Sequence, residues 1–125
     1  MTKVLVIDDD QGITDMLRLA LPLKGFKVAA ANSGREGIEA ARQHEPDAII
    51  LDLMIPDIDG WHVCKAIREF SQVPILVLSA VVDPEKIDLV KRQGASAYLA
   101  KPAGLDQLVT ALHKLTAPEK SRTAV

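Results

Sequence analysis

The sequence predicts one α/β domain, a doubly wound (βα)5 unit with a five-stranded parallel sheet in the order 2-1-3-4-5. Three observations lead there. Five short apolar runs, 4–7, 26–31, 48–51, 75–78 and 97–100, are spaced along the chain. Runs such as Ala48-Ile49-Ile50-Leu51 read as strands buried on both faces, which is the habit of parallel sheets. The segments between them carry apolar residues at helical spacing, so strand and helix alternate five times and imply right-handed crossovers. Four of the runs also end on a polar group at the same end: Asp8-Asp9-Asp10, Asp52, Ser79 and Lys101. In a parallel sheet these groups gather on one rim. The order 2-1-3-4-5 sets the first and third strands side by side at the switch point, with Asp8, Asp9 and Asp52 as neighbours.

Each element has a local reason. After the first strand, Asp10 can cap a helix starting near Gln11, with Ile13, Met16, Leu17, Ala20 and Leu21 on one face. Pro22 removes a donor and crowds the preceding turn, so a kink or an early last turn is expected, closed by Gly25. The run 26–31 ends on Asn32 and Ser33 and fits a strand to one side of the sheet. Ser33 and Glu36 form a capping box for a helix to about Gln43, and Pro46-Asp47 lead into the central strand. That strand stops on Asp52, and Pro56, Asp57, Asp59 and Gly60 form the turn after it. A third helix follows with the stripe Val63, Ala66, Ile67 and Phe70. Pro74 starts the fourth strand, and Asp83-Pro84 supply a cap and a first-turn proline for a helix ending at Gly94. Tyr98 lies in the fifth strand, and Leu105, Leu108, Val109 and Leu112 mark the last helix. The domain is expected over residues 1–116, with 117–125 a tail or the start of a linker.

Composition narrows the function. The 125 residues suffice for one core, and 48% hydrophobic content excludes a disordered chain. A net charge of −2 gives no reason to expect nucleic-acid binding by this chain alone. The single cysteine, Cys64, cannot form an internal disulfide, and a reducing cytoplasm is the expected setting. No apolar run is long enough to span a bilayer, and the chain enters its first strand without room for a signal peptide.

The rim defines the chemistry. Three crowded carboxylates repel one another unless a proton or a cation sits among them. Their oxygens are hard ligands, suited to magnesium rather than zinc. Lys101 brings positive charge, and Ser79 brings a donor. Together these groups can hold a phosphoryl group, with Asp52 as a nucleophile able to form an acyl phosphate.

Val6-Ile7-Asp8-Asp9, the stretch from Leu51-Asp52 to Asp59-Gly60, Leu78-Ser79-Ala80 and Tyr98-Leu99-Ala100-Lys101-Pro102 together resemble the receiver domain of two-component response regulators, a flavodoxin-like fold. The resemblance implies that Asp52 accepts a phosphoryl group from the phosphohistidine of a sensor histidine kinase or a histidine phosphotransfer protein. It implies Asp9 as a direct magnesium ligand, Asp8 acting mostly through water, Asp52 itself, and the backbone carbonyl of Met54. Ser79 and Lys101 then bind phosphoryl oxygens, Tyr98 moves inward as Ser79 engages, and the Lys101-Pro102 bond is cis. The switching face is the fourth helix, fifth strand and fifth helix. Such a chain is a signalling phosphoacceptor, catalysing only its own phosphorylation and dephosphorylation, as a monomer or a weak phosphorylation-dependent dimer. Its output passes through an unidentified partner or output domain. Ala103 replaces the usual aromatic, and residues 94–98 lack the acidic groups of the winged-helix DNA-binding subfamily, so the salt-bridged dimer of that subfamily is not expected.

Plainer readings compete. Asp8 to Asp10 could be a solvated cap, Ser79 could bond only backbone, and Lys101 and Tyr98 could be ordinary surface and strand residues. Trp61 and Cys64 are simplest as packing residues, and His44, His62 and His113 do not cluster. A magnesium-dependent phosphatase using an aspartyl phosphate needs a second acid two positions beyond Asp52, where Met54 stands. A nucleotide binder needs a glycine-rich loop where Asp8, Asp9 and Asp10 stand. A receiver-shaped interaction module that is never phosphorylated is the remaining alternative.

Overall fold

The computed structural model describes residues 1–117, so all of the expected tail but Ala117 lies outside the described residues. Strands β1 (Thr2–Ile7), β2 (Phe26–Ala31), β3 (Ala48–Leu51), β4 (Ile75–Ser79) and β5 (Ala97–Ala100) alternate with helices α1 (Gln11–Ala20), α2 (Gly34–His44), α3 (Gly60–Arg68), α4 (Pro84–Arg92) and α5 (Leu105–Thr116). All pairings are parallel, in the order β2-β1-β3-β4-β5. Side chains alternate across the sheet and build two cores. Leu5, Ile7, Ile49, Leu51, Ile75 and Val77 pack under α2, α3 and α4. Val4, Val6, Ile50, Leu76 and Leu78 pack under α1 and α5.

Most element ends follow the local signals. Asp10 caps α1, accepting from the N–H groups of Gly12 and Ile13. Pro22 converts the end of α1 into a 3-10 turn, Leu21–Lys24, closed by Gly25 at φ 94°, a backbone conformation that favours glycine. Asp83 caps α4 with Pro84 in its first turn.

The structure departs from the sequence reading in three places. Burial on α1 centres on Thr14, Leu17 and Leu21, so Met16 falls outside the contact and is 47% exposed. Ser33 Oγ accepts from Glu36 N–H, but Glu36 Oε2 reaches Asn32 N–H, one residue before the cap, so the capping box is not reciprocal. Phe70 lies beyond the end of α3, and the Arg42 guanidinium stacks 4.5 Å from its ring centroid. The third helix instead buries Cys64 beside Val63 and Ile67.

Candidate functional site

The register places the acids. Ile7 pairs with Leu51, and Asp52 N–H donates to Ile7 C=O at 3.0 Å. Asp8 and Asp52 therefore follow side by side at the ends of the two central strands. Both are buried, whereas Asp9 faces outward and is exposed. Asp10 belongs to the cap of α1 and donates its N–H to Asp8 Oδ1 at 2.9 Å. The Met54 N–H donates to Asp52 Oδ1 at 3.1 Å, which fixes that carboxylate from the loop side.

The positive charge arrives from the other half of the sheet. Ser79 pairs with Ala100, and Lys101 N–H donates to Ser79 C=O at 2.9 Å. The Lys101-Pro102 bond is cis. Lys101 Nζ donates to Asp8 Oδ2 and to Asp52 Oδ2, both at 2.9 Å. Ser79 is fully buried, and its Oγ accepts a long 3.5 Å bond from Val81 N–H. Tyr98, half-buried, donates its hydroxyl to Ser79 C=O at 3.2 Å, so it already leans over the end of β4.

Burial lifts the Asp8 carboxyl above its ordinary range, against the hydrogen bonds from Lys101 and Asp10, with the neighbouring Asp52 adding to the rise. Burial works against the Lys101 ammonium, but its bonds to Asp8 and Asp52 outweigh it and leave the pKa raised. The Tyr98 phenol is also raised, by burial and then by Asp52. Three carboxyl groups thus stand against one ammonium.

One oxygen each from Asp8, Asp9 and Asp52 lie within 4.8 Å of one another. An all-oxygen, carboxylate-rich donor set at the mouth of a strand crevice fits a small hard divalent cation. The arrangement can do two things at once: concentrate negative oxygens for a cation and present an ammonium and a hydroxyl to an incoming anion.

Two contributors were not evident in the sequence. Asn32 donates its side-chain amide to Asp8 C=O at 3.1 Å, tying the end of β2 to the acidic turn. Asp57 holds a left-handed φ of 66° and accepts from Gly34 N–H at 2.9 Å and Arg35 N–H at 3.1 Å. The turn residue after the central strand thus caps α2, where the helix dipole favours an anion. Asp59 similarly caps α3 through His62 N–H. Only the turn-forming tendency of Asp57 and Asp59 is visible without the fold. Trp61 anchors by donating Nε1–H to Lys86 C=O at 3.0 Å. The histidines stay apart at the surface, His62 on Asp59 and His113 beside the Phe26 ring.

Comparison with known proteins gives one consistent result. Residues 4–113 match the family model described as response regulator receiver domain. The chain is similar to the transcriptional regulatory protein AfsQ1 of Streptomyces coelicolor, 41% identical over 82% of this chain and 45% of the relative. It is 39% identical to KdpE of Mycobacterium tuberculosis over 90% of this chain and 50% of that protein. The chain thus spans about half the length of the curated relatives it matches. Among solved structures, a two-component response regulator from Clostridium difficile superposes with a TM-score of 0.89 at 30% identity, covering 92% of this chain and 95% of that one. Vibrio cholerae CheY4 gives 0.87 at 36% identity, covering 92% and 98%.

Proposed function

The chain belongs to the response regulator receiver domain family, and from that membership we propose that Asp52 is the phosphoacceptor of a two-component relay. The donor is the phosphohistidine of a sensor histidine kinase or a histidine phosphotransfer protein. The observation that carries this reading is the position of Asp52: buried at a strand end, held by Met54 N–H on one oxygen and by Lys101 on the other.

A carboxylate oxygen of Asp52 attacks phosphorus as the phosphorus–nitrogen bond of the donor breaks and the imidazole leaves with its electron pair. The new bond is an acyl phosphate. Lys101 follows the negative charge from the carboxylate to the phosphoryl oxygens, and the Ser79 hydroxyl donates to another. Asp8, Asp9, Asp52 and the Met54 carbonyl would hold magnesium, which when bound would supply positive charge against those oxygens. The chain is a signalling phosphoacceptor, and the only chemistry it promotes is on its own Asp52.

Engagement of Ser79 couples to Tyr98, whose hydroxyl sits on the Ser79 carbonyl, and through it to the face formed by α4, β5 and α5. AfsQ1 and KdpE are named as transcriptional regulators, and the chain corresponds to about half of each. Output through a further DNA-binding domain or through a contacted partner are the two routes this leaves, in the cytoplasm where phosphohistidine donors act. None of the described helices is long and apolar enough to cross a membrane.

The test is direct. Incubated with acetyl phosphate and magnesium, the wild type gains the mass of one phosphoryl group, and Asp52→Ala gains none. An equal gain in Asp52→Ala moves the acceptor elsewhere.

A further inference from the structure

The site leaves one edge of the sheet unused. β2 is an edge strand. Asp8 N–H donates to Ala31 C=O, so Ala31 turns its peptide groups toward β1, and by alternation Lys27 and Ala29 do the same. Val28 and Ala30 therefore turn theirs outward. Asn32 is next in the outward series, and Glu36 Oε2 takes its N–H at 3.0 Å. The edge is sealed at that end and open at Val28 and Ala30.

Two cavities of opposite charge border β2 and α2, one reaching across β1 and β2 at the C-terminal end of α2 and one beside the end of β2. One, of about 320 Å³, is lined in part by Lys3, Lys27, His44 and Pro46. The other, of about 340 Å³, is lined in part by Asn32, Glu36, Glu39 and Gln43. Lys27 has no ion pair among the described residues. Leu19, 76% exposed, and Leu23, 85% exposed, lie on α1 and the 3-10 turn, which both pack against β2.

We infer that the outer edge of β2 is an interface between two copies of this chain, paired antiparallel about a two-fold axis at Ala29. The charges select the partner and its direction. Antiparallel pairing brings Lys27 of each copy to the Glu36 and Glu39 end of the other, so both charged ends are matched twice. Parallel pairing sets Lys27 against Lys27, which is how an edge lysine ordinarily prevents association. The outward groups fix the register: Val28 exchanges both backbone hydrogen bonds with Ala30 of the second copy. Ala29 then faces Ala29 in a non-hydrogen-bonded pair, where the Cα atoms approach to about 4.5 Å. Such a dimer joins two sheets into one of ten strands. It leaves the rim, α4, β5 and α5 free and does not depend on Asp52.

Sedimentation of the whole chain, without phosphodonor and at low salt, tests this from micromolar to millimolar concentration. The wild type dimerises, and added salt weakens it. Lys27→Glu raises the dissociation constant by about tenfold, the effect of losing two surface ion pairs, and Lys27→Glu/Glu39→Lys recovers most of it. Under mild oxidation Ala29→Cys gives a disulfide-linked dimer, and Lys114→Cys on α5 does not. A wild type that stays monomeric overturns the inference. So does a dimer that ignores Lys27→Glu, or one in which Ala29→Cys fails to cross-link.

Discussion

Lys101 bonds two carboxylates at equal distance, yet those carboxylates are in different situations. On their other oxygens Asp52 takes the Met54 N–H and Asp8 the Asp10 N–H, and both are buried. Asp8 is the one whose ionisation the fold resists, since its pKa is raised by burial. A raised acid favours the folded state fully below its unfolded pKa, near 3.8, and that contribution is lost as pH rises through the folded pKa. At neutral pH the Asp8 charge is therefore a cost, so Asp8→Asn should raise the melting temperature in magnesium-free buffer. The gain should shrink toward zero as pH falls to 3.8 and below. A melting temperature lowered at pH 7 would contradict this balance. Asp57 has the opposite sign. Backbone donors, first that of Ile58 and then those of Gly34 and Arg35, hold its carboxyl below the ordinary range. Its contribution is present above pH 3.8 and lost as pH falls through the lower folded value. Asp57→Asn keeps a residue that tolerates a left-handed φ while removing the charge and one of the two oxygens that accept from Gly34 and Arg35. It should melt earlier than wild type at pH 7, and the gap should close in acid; a constant gap would mean the loss is one of shape.

At the scale of elements, the rim exists because a short parallel strand stops where its first polar residue meets the crevice. That rule made Asp8, Asp52, Ser79 and Lys101 legible before any contact was known, because it needs only the ends of apolar runs. Caps that lie next to their own helix, Asp10 and Asp83, were legible for the same reason. What could not be read depends on two elements meeting. Asp57 capping α2 spans 23 residues, and Arg68 donating to Gly94 C=O spans 26. Met16 looked like a core residue because helical spacing gives a stripe but not the angle at which the helix rolls onto the sheet. The same limit applies to the switch. Ala95, Ala97 and Ala103 are partly covered and Ala100 is exposed around Tyr98, a surface for packing more than for ion pairs. Adding beryllofluoride with magnesium should shift amides in α4, β5 and α5 as strongly as those beside Asp52. Shifts confined to residues near Asp8 and Asp52 would mean that Tyr98 does not carry the signal out of the site.

For the molecule as a whole, the quantity that matters is how long the phosphoryl group stays. Hydrolysis of an acyl phosphate needs a water in line behind phosphorus, held by a polar group. On the proposed reading that approach would pass Met54 and Val81, two residues beyond Asp52 and two beyond Ser79. The two side chains help line one cleft of about 370 Å³ beside the site, together with Ala80, Val82, Asp83 and Lys86. Met54 is 63% exposed and Val82 is 72% exposed, so the mouth of the approach is largely apolar. Asp83 is engaged as the cap of α4 through Glu85 N–H, which leaves its carboxylate turned to the helix. Neither Met54 nor Val81 can orient a water, and both can exclude one. The phosphorylated protein should therefore lose phosphate slowly for its family, suiting a signal that persists until a partner removes it. Phosphate release with magnesium, wild type against Met54→Asn/Val81→Glu, measures this. A water-orienting group placed on the approach should accelerate release by about tenfold, below the roughly 10²–10⁴-fold of a fully positioned proton-transfer group. A double variant no faster than wild type would show that the cleft does not set the lifetime.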